Sequence, residues 1–113
     1  MVRRGDLWWL DFGEPIDPAP GYERPAVVVS ADSFNASRLN TIIVVPIYSN
    51  LKHAGHASNV LLRAIDTGLD VDSVANITQV GSIDRQLIIR RIGAVPPSLM
   101  RDIDAGLRLA LSL

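Results

Sequence analysis

Short apolar runs rich in β-branched and aromatic residues, separated by clusters of turn formers, fill this chain as far as Pro96-Pro97, where the pattern changes period. From Asp6 to Gly13 the order Leu7, Trp8, Trp9, Leu10, Asp11, Phe12 predicts an aromatic strand with Trp8, Leu10 and Phe12 on one face. Ala26–Ser30 and Thr41–Ile47 predict two central strands, and Asp32–Ser37 between them predicts one short helical turn. Further strands are predicted near Asn59–Ala64, over Val74–Val80 and over Leu87–Val95, with Thr67-Gly68-Leu69-Asp70 as a turn. Beyond the proline pair, Leu99, Ile103, Leu107 and Leu111 recur at helical spacing and Met100 and Ala110 widen the stripe. Pro97 suits the first turn of that helix, Asp102 and Asp104 lie toward its start and Arg108 toward its end, as the helix dipole prefers. The pattern predicts a mainly β chain with a C-terminal α-helix: a small, strongly twisted barrel or sheet with the helix packed on it.

A length of 113 residues with 48% hydrophobic content supports one domain, 1–113, around one core. The longest apolar runs, such as Ile42-Ile43-Val44-Val45, are too short to span a bilayer, and the N-terminal residues lack the apolar segment of a signal peptide. A cytoplasmic protein with no membrane association is expected. With no cysteine and only His53 and His56 as imidazoles, no metal site and no cofactor are expected. The formal net charge of −1 argues against coating a polynucleotide through bulk charge, so any such contact needs a local basic patch.

Charge is unevenly placed. Asp6, Asp11, Glu14, Asp17 and Glu23 crowd the first part of the chain, whereas Arg85, Arg90 and Arg91 cluster late. Glu14–Arg24 holds Pro15, Pro18, Pro20 and Gly21, which predict a long irregular loop. At its end Arg24-Pro25 enters the apolar run Ala26-Val27-Val28-Val29, placing a planar fork of donors at a strand mouth, a candidate anion site. The run Val45-Pro46-Ile47-Tyr48-Ser49-Asn50 passes abruptly from apolar to hydroxyl and amide groups, and its polar end could share one cleft with Arg24 if the two strands are neighbours. Gly-rich phosphate loops, zinc spacings and a Gly-x-Ser-x-Gly elbow are all missing from the sequence.

Over essentially its whole length the chain resembles the MazF/PemK family of toxin endoribonucleases. The resemblance is carried by Arg4-Gly5-Asp6-Leu7-Trp8-Trp9, Arg24-Pro25-Ala26-Val27-Val28-Val29-Ser30, Val45-Pro46-Ile47-Tyr48-Ser49-Asn50, Thr67-Gly68-Leu69 with Asp72-Ser73, Gln79 with Ile83-Asp84, and Arg91-Ile92-Gly93, in that order and spacing. It implies a small SH3-like β-barrel of the CcdB/PemK/MazF type, a homodimer, and metal-independent cleavage of single-stranded RNA to 2′,3′-cyclic phosphate and 5′-hydroxyl ends. It also implies a cognate MazE-like antitoxin whose acidic, partly disordered tail would occupy the RNA groove by mimicking phosphate. RNA brings its own nucleophile in the 2′-hydroxyl, so the enzyme need only align it, stabilise added negative charge and manage two protons. Arg24 fits the charge-stabilising role.

In the family pattern the position of Tyr48 is commonly a threonine whose hydroxyl takes part in the reaction. Three readings stay open: Tyr48 serves the leaving group, Ser49 does so provided the strand ends or bulges there, or the chain is a weak nuclease with altered specificity, a catalytically weak RNA- or antitoxin-binding member. A gyrase-binding poison of the CcdB kind is the alternative from another class. Tyr22, Glu23, Asn35, Asn50, Lys52 and Gln79 are the candidate substrate-binding residues, because loops flanking Arg24 and Tyr48 are placed to meet unstacked bases. Gln79 and Arg85 could instead brace the barrel. His53 and His56 read first as solvated loop residues, and Trp8 and Trp9 as core and dimer-interface residues. Arg90 and Arg91 alternate along a strand, so one of them is expected to pair with a local acid such as Asp84.

Overall fold

The computed structural model describes residues 1–12 and 23–113, so the expected proline-rich loop and Tyr22 lie outside the described residues. Among these, β1 (Asp6–Asp11), β2 (Glu23–Val28), β3 (Thr41–Tyr48), β4 (Val60–Leu62), β5 (Ser73–Ala75), β6 (Gly81–Asp84) and β7 (Ile88–Ala94) form a curled antiparallel sheet. Its order is β4-β5-β3-β2-β1-β7, with β6 paired to β3. Two single turns, α1 (Asp32–Asn35) and α2 (Ala64–Thr67), connect strands, and α3 (Pro97–Leu111) closes the chain. No helix among the described residues is long and apolar enough to cross a membrane.

β3 organises the sheet because it changes partners along its length. Its first half pairs with β6 through Thr41↔Asp84 to Val44↔Gly81, its middle pairs with β2 through Val44↔Val28 to Pro46↔Ala26, and its end pairs with β5 through Ile47↔Ala75 and Tyr48↔Val74. The β2–β3 ladder stops at a point where both strands carry proline. Pro25 and Pro46 have no N–H to give, so neither can extend the pairing. The Pro46 carbonyl instead accepts from the Asn76 N–H at 3.0 Å. Below this point the strands part: Pro25, Arg24 and Glu23 continue against β1, while Ile47 and Tyr48 continue against β5. The fork so formed is the feature that positions the candidate site.

Alternation along β2 and β3 buries both faces. Val27, Val45 and Ile47 join Leu7, Leu62, Ala75, Ile77 and Ile103 under α3, whereas Ala26, Val28, Ile42 and Val44 pack with Leu10 on the other face. The predicted face of β1 holds for Trp8 and Leu10, which pack in one cluster even though the β1–β7 register shifts at Leu7/Trp8 and again at Trp9/Leu10. Leu7 is buried on the opposite face, as alternation requires, and Phe12, one residue past the end of β1, is exposed. The strand expected over Val74–Val80 ends at Ala75. Asn76 leaves extended geometry (φ −92°, ψ 86°), and 77–79 coil into a 3₁₀ turn with Ile77 buried inside it. The sequence reading missed β6, whose only apolar residue is Ile83.

Arg4 ties the N-terminus to α3 through Asp104 (2.5 Å) and donates to the Val29 carbonyl (2.9 Å). The Arg4 N–H donates to Asp32 Oδ1 at 2.6 Å, and this bond holds the Asp32 carboxyl below the usual carboxylate range. Asp32 thus favours the folded state at neutral pH and loses that effect as pH falls through its folded-state value. At Gly106, buried within α3, an added methyl would collide with the Ser58 carbonyl oxygen. Alanine at this site would gain about 1 kcal/mol in helix propensity but cost about 1–3 kcal/mol in overpacking. Gly106→Ala is accordingly expected to lower the midpoint of denaturant unfolding; an unchanged or raised midpoint would show that the helix can lift off Ser58 freely.

Candidate active site

Two contiguous clefts open in the fork, and Arg24 and Ser49 line both. The larger, about 550 Å³, is walled by Arg24, Tyr48, Ser49, Asn50, Lys52, His53, Asn76 and Gln79. Arg24 stands on the free arm of β2 opposite Leu10 of β1, and its guanidinium carbon lies 4.1 Å from the centroid of the Tyr48 ring. A cation so close to an aromatic face is held by the ring quadrupole, worth about 0.5–1 kcal/mol at an exposed site. Tyr48 Oη in turn donates to Gln79 Oε1 on the 3₁₀ turn. The chain Gln79–Tyr48–Arg24 therefore fixes the direction in which the guanidinium presents its donors.

Ser49 is the first residue past the end of β3 and is exposed. Strand alternation no longer forces it away from Tyr48, and the two residues face the same cleft. Asn50 follows with its side-chain oxygen accepting from the Lys52 N–H (3.1 Å), which starts the turn Leu51–His53 and leaves the Asn50 amide donors directed elsewhere. Asn59 Nδ2 donates to the His53 carbonyl (3.1 Å) and Asn59 Oδ1 accepts from the Ile77 N–H (3.0 Å), pinning this turn to the one that carries Gln79. The cleft thus combines a cation held against an aromatic ring, a second cation at Lys52, two hydroxyls and three amides. That donor-rich set suits a phosphodiester and the edges of bases.

Of the residues expected from sequence, Arg24, Tyr48, Ser49, Asn50, Lys52 and Gln79 come together here, and Glu23 lines the adjoining cleft. Asn35 does not. It is 4% exposed, donates to the Ser30 carbonyl (2.9 Å) and accepts from Ser30 Oγ (2.5 Å), so it clamps the turn after β2 rather than facing a ligand. Tyr22 lies outside the described residues. Arg85 donates to the carbonyls of Leu39 and Phe34 and braces that connection. Arg91 pairs with Asp6 at 3.2 Å, not with Asp84, whose carboxylate accepts from the Gln86 N–H. Arg90 lies 5.2 Å from the Trp9 ring centroid. Trp9 lines the smaller cleft beside Arg24 instead of entering the core, whereas Trp8 packs against the inner cluster.

The sequence reading left out Asn76 as a wall of this cleft and gave His53 only a secondary place. Their signal was topological: Pro46 frees a carbonyl that Asn76 then takes, and Asn50 starts the turn that carries His53 inward. Among the described residues no group of three His, Cys, Asp or Glu converges as metal ligands would.

Comparison with known proteins agrees with this architecture. Over 113 residues the chain is 40% identical to the endoribonuclease MazF2 of Mycobacterium bovis, covering 100% of this chain and 99% of that protein. Its backbone superposes on MazF from Deinococcus radiodurans with a TM-score of 0.80 at 25% identity, covering 99% of this chain and 97% of that one. A mycobacterial endoribonuclease in complex with its cognate antitoxin shares the fold, with a TM-score of 0.81 at 19% identity and coverage of 100% and 97%. Residues 3–111 match the family described as PemK-like, MazF-like toxin of type II toxin-antitoxin system. With both its sequence and its forked sheet in agreement, the chain belongs to the PemK-like, MazF-like toxins of type II toxin-antitoxin systems.

Proposed function

We propose that the forked cleft is the active site of a MazF-type toxin endoribonuclease, in which Arg24 steadies the scissile phosphate, Ser49 serves the departing oxygen and Tyr48 positions Arg24. The chain is the toxin of a toxin-antitoxin pair, with RNA as substrate and an antitoxin as partner. The observation that carries the mechanism is the shared wall: Arg24 from one arm of the fork and Tyr48-Ser49 from the other border a single cleft.

The chemistry follows from those positions. As the 2′-hydroxyl gives its proton to water and its oxygen closes on phosphorus, charge builds on the nonbridging oxygens, and a guanidinium can grip two of them through parallel N–H bonds without titrating. Breaking the P–O5′ bond then needs a proton on the leaving oxygen. Tyr48 already donates its hydroxyl proton to Gln79, while Ser49 stands exposed on the cleft wall and can direct its own to the 5′-oxygen as it takes one back from water. Lys52, Asn50 and Gln79 would hold the flanking nucleotides. The products would be a 2′,3′-cyclic phosphate and a 5′-hydroxyl, with no metal in the reaction because the nucleophile and the counter-charge are both already present. Homodimerisation, a cytoplasmic location and blockade by an acidic antitoxin segment lying across Arg24 and Lys52 complete the proposal.

Incubating the purified protein with labelled single-stranded RNA in excess EDTA tests it. Discrete cuts at the rate seen without chelator are expected, with 5′ ends that accept ligation requiring a hydroxyl. Intact RNA, or cuts that appear only after a divalent ion is restored, would contradict this reading.

A further inference from the structure

The smaller cleft, about 330 Å³, shares Arg24 and Ser49 with the larger one but has opposite chemistry. Its volume falls within the roughly 300–1,000 Å³ of small-ligand sites. Ile47 and Leu69, 1% and 7% exposed, form its floor, and Trp9 supplies an aromatic wall with the Arg90 guanidinium carbon 5.2 Å from its ring centroid. Val71 is 53% exposed at its rim, an apolar side chain left uncovered where a flat ligand could rest against it. Its charged groups apart from Arg24 are two carboxylates, Glu23 and Asp70. Asp6, Asp32, Asp72, Asp84 and Asp104 each accept a hydrogen bond from the chain, whereas Glu23 and Asp70 accept none among the described residues.

We propose that this cleft is a base-reading subsite that accepts a nucleobase carrying an exocyclic amino group, adenine, cytosine or guanine, and rejects uracil. The inference rests on the ribonuclease reading above and deepens it. With the scissile phosphate on Arg24, the chain leaving that phosphate on one side enters the donor-rich cleft and on the other side meets this one. Carboxylates repel phosphate, so what enters is a base, and the apolar floor with Trp9 offers it a stacking surface. A carboxylate only accepts hydrogen bonds. Adenine and cytosine each offer an amino group, and guanine offers an N–H and an amino group side by side. Uracil offers one N–H between two carbonyl oxygens that would face the carboxylate charge. Asp70, next to Leu69 on the loop that follows α2, is the reader; Glu23, on the arm of β2, sets the repulsive field.

The test uses RNA oligonucleotides degenerate at the two positions flanking the cut, with matching 2′-deoxy, uncleavable versions for binding. The wild-type protein is expected to disfavour uracil at one of those positions by at least about tenfold in both cleavage and binding. Asp70→Asn replaces one acceptor by a donor, which matches the N–H and carbonyl of uracil, so this variant should lose most of that discrimination while melting with the wild type. Cleavage by the wild type with uracil tolerated at both positions would overturn the subsite and leave the ribonuclease reading standing. So would an Asp70→Asn variant that keeps the wild-type preference, or one that folds but cuts no sequence. If the wild type cuts no RNA at all, both readings fall together.

Discussion

Replacing Arg24 by alanine is expected to lower the single-turnover rate of RNA cleavage by about 10²–10³-fold, the loss typical of removing one preorganised donor from a developing oxyanion. The ground-state phosphate already carries charge, so some binding will be lost too, but the larger effect belongs to the rate. Arg24 lies outside the β2–β3 ladder, with its guanidinium carbon 4.1 Å from the centroid of the Tyr48 ring. Folding should therefore survive the change, and the melting temperature is expected to shift by no more than a few degrees. Arg24→Lys restores the charge but not the planar fork and should recover only part of the rate. The measurement is a pair of single-turnover time courses set beside binding of the uncleavable oligonucleotide. An undiminished rate for Arg24→Ala would remove the guanidinium from the reaction.

The second large effect separates the two hydroxyls. Ser49→Ala is expected to reduce cleavage by about 10²-fold through loss of the proton donor, whereas Tyr48→Phe, which keeps the ring under the guanidinium, should cost less than about tenfold. Tyr48→Ala should exceed Tyr48→Phe by a wide margin, since it removes the surface against which Arg24 is held. The opposite ranking, with Tyr48→Phe nearly inactive and Ser49→Ala active, would reassign the leaving-group proton to the phenol. Rates across the four proteins on one oligonucleotide decide between them.

What the sequence disclosed and what it hid have separate physical causes. β2, β3 and β7 were legible as apolar, β-branched runs bounded by turn formers, and α3 as a helical stripe of apolar residues that begins at Pro97 as its proline pair indicated. Arg24 and Tyr48-Ser49 were legible as candidates because polar groups follow apolar runs abruptly. Their meeting was not, because it depends on β3 exchanging β2 for β5 at Pro46, a choice of partner that no local pattern encodes. Asn35 misled because an amide on a short turn reads alike whether it faces solvent or, as here, closes on Ser30. Trp9 shares the Leu7 face of β1, but it stands opposite Pro25, where the fork opens, and so lines the cleft beside Arg24. The two prolines, Pro25 and Pro46, were the available signal for the fork. Each was visible alone, and only their pairing across two strands made them informative.

The mechanism brings a ribose oxygen, an arginine fork and a serine hydroxyl together around one phosphorus atom, with water taking the 2′ proton and restoring the serine's. Its most direct test is an oligonucleotide in which only the ribose on the 5′ side of the cut lacks its 2′-hydroxyl. That substrate should bind within about threefold of the all-RNA parent and remain uncut through incubations that exhaust the parent. Scission of the deoxy-substituted strand at the same position would contradict the account, because the attacking oxygen would then have to come from water or from the protein.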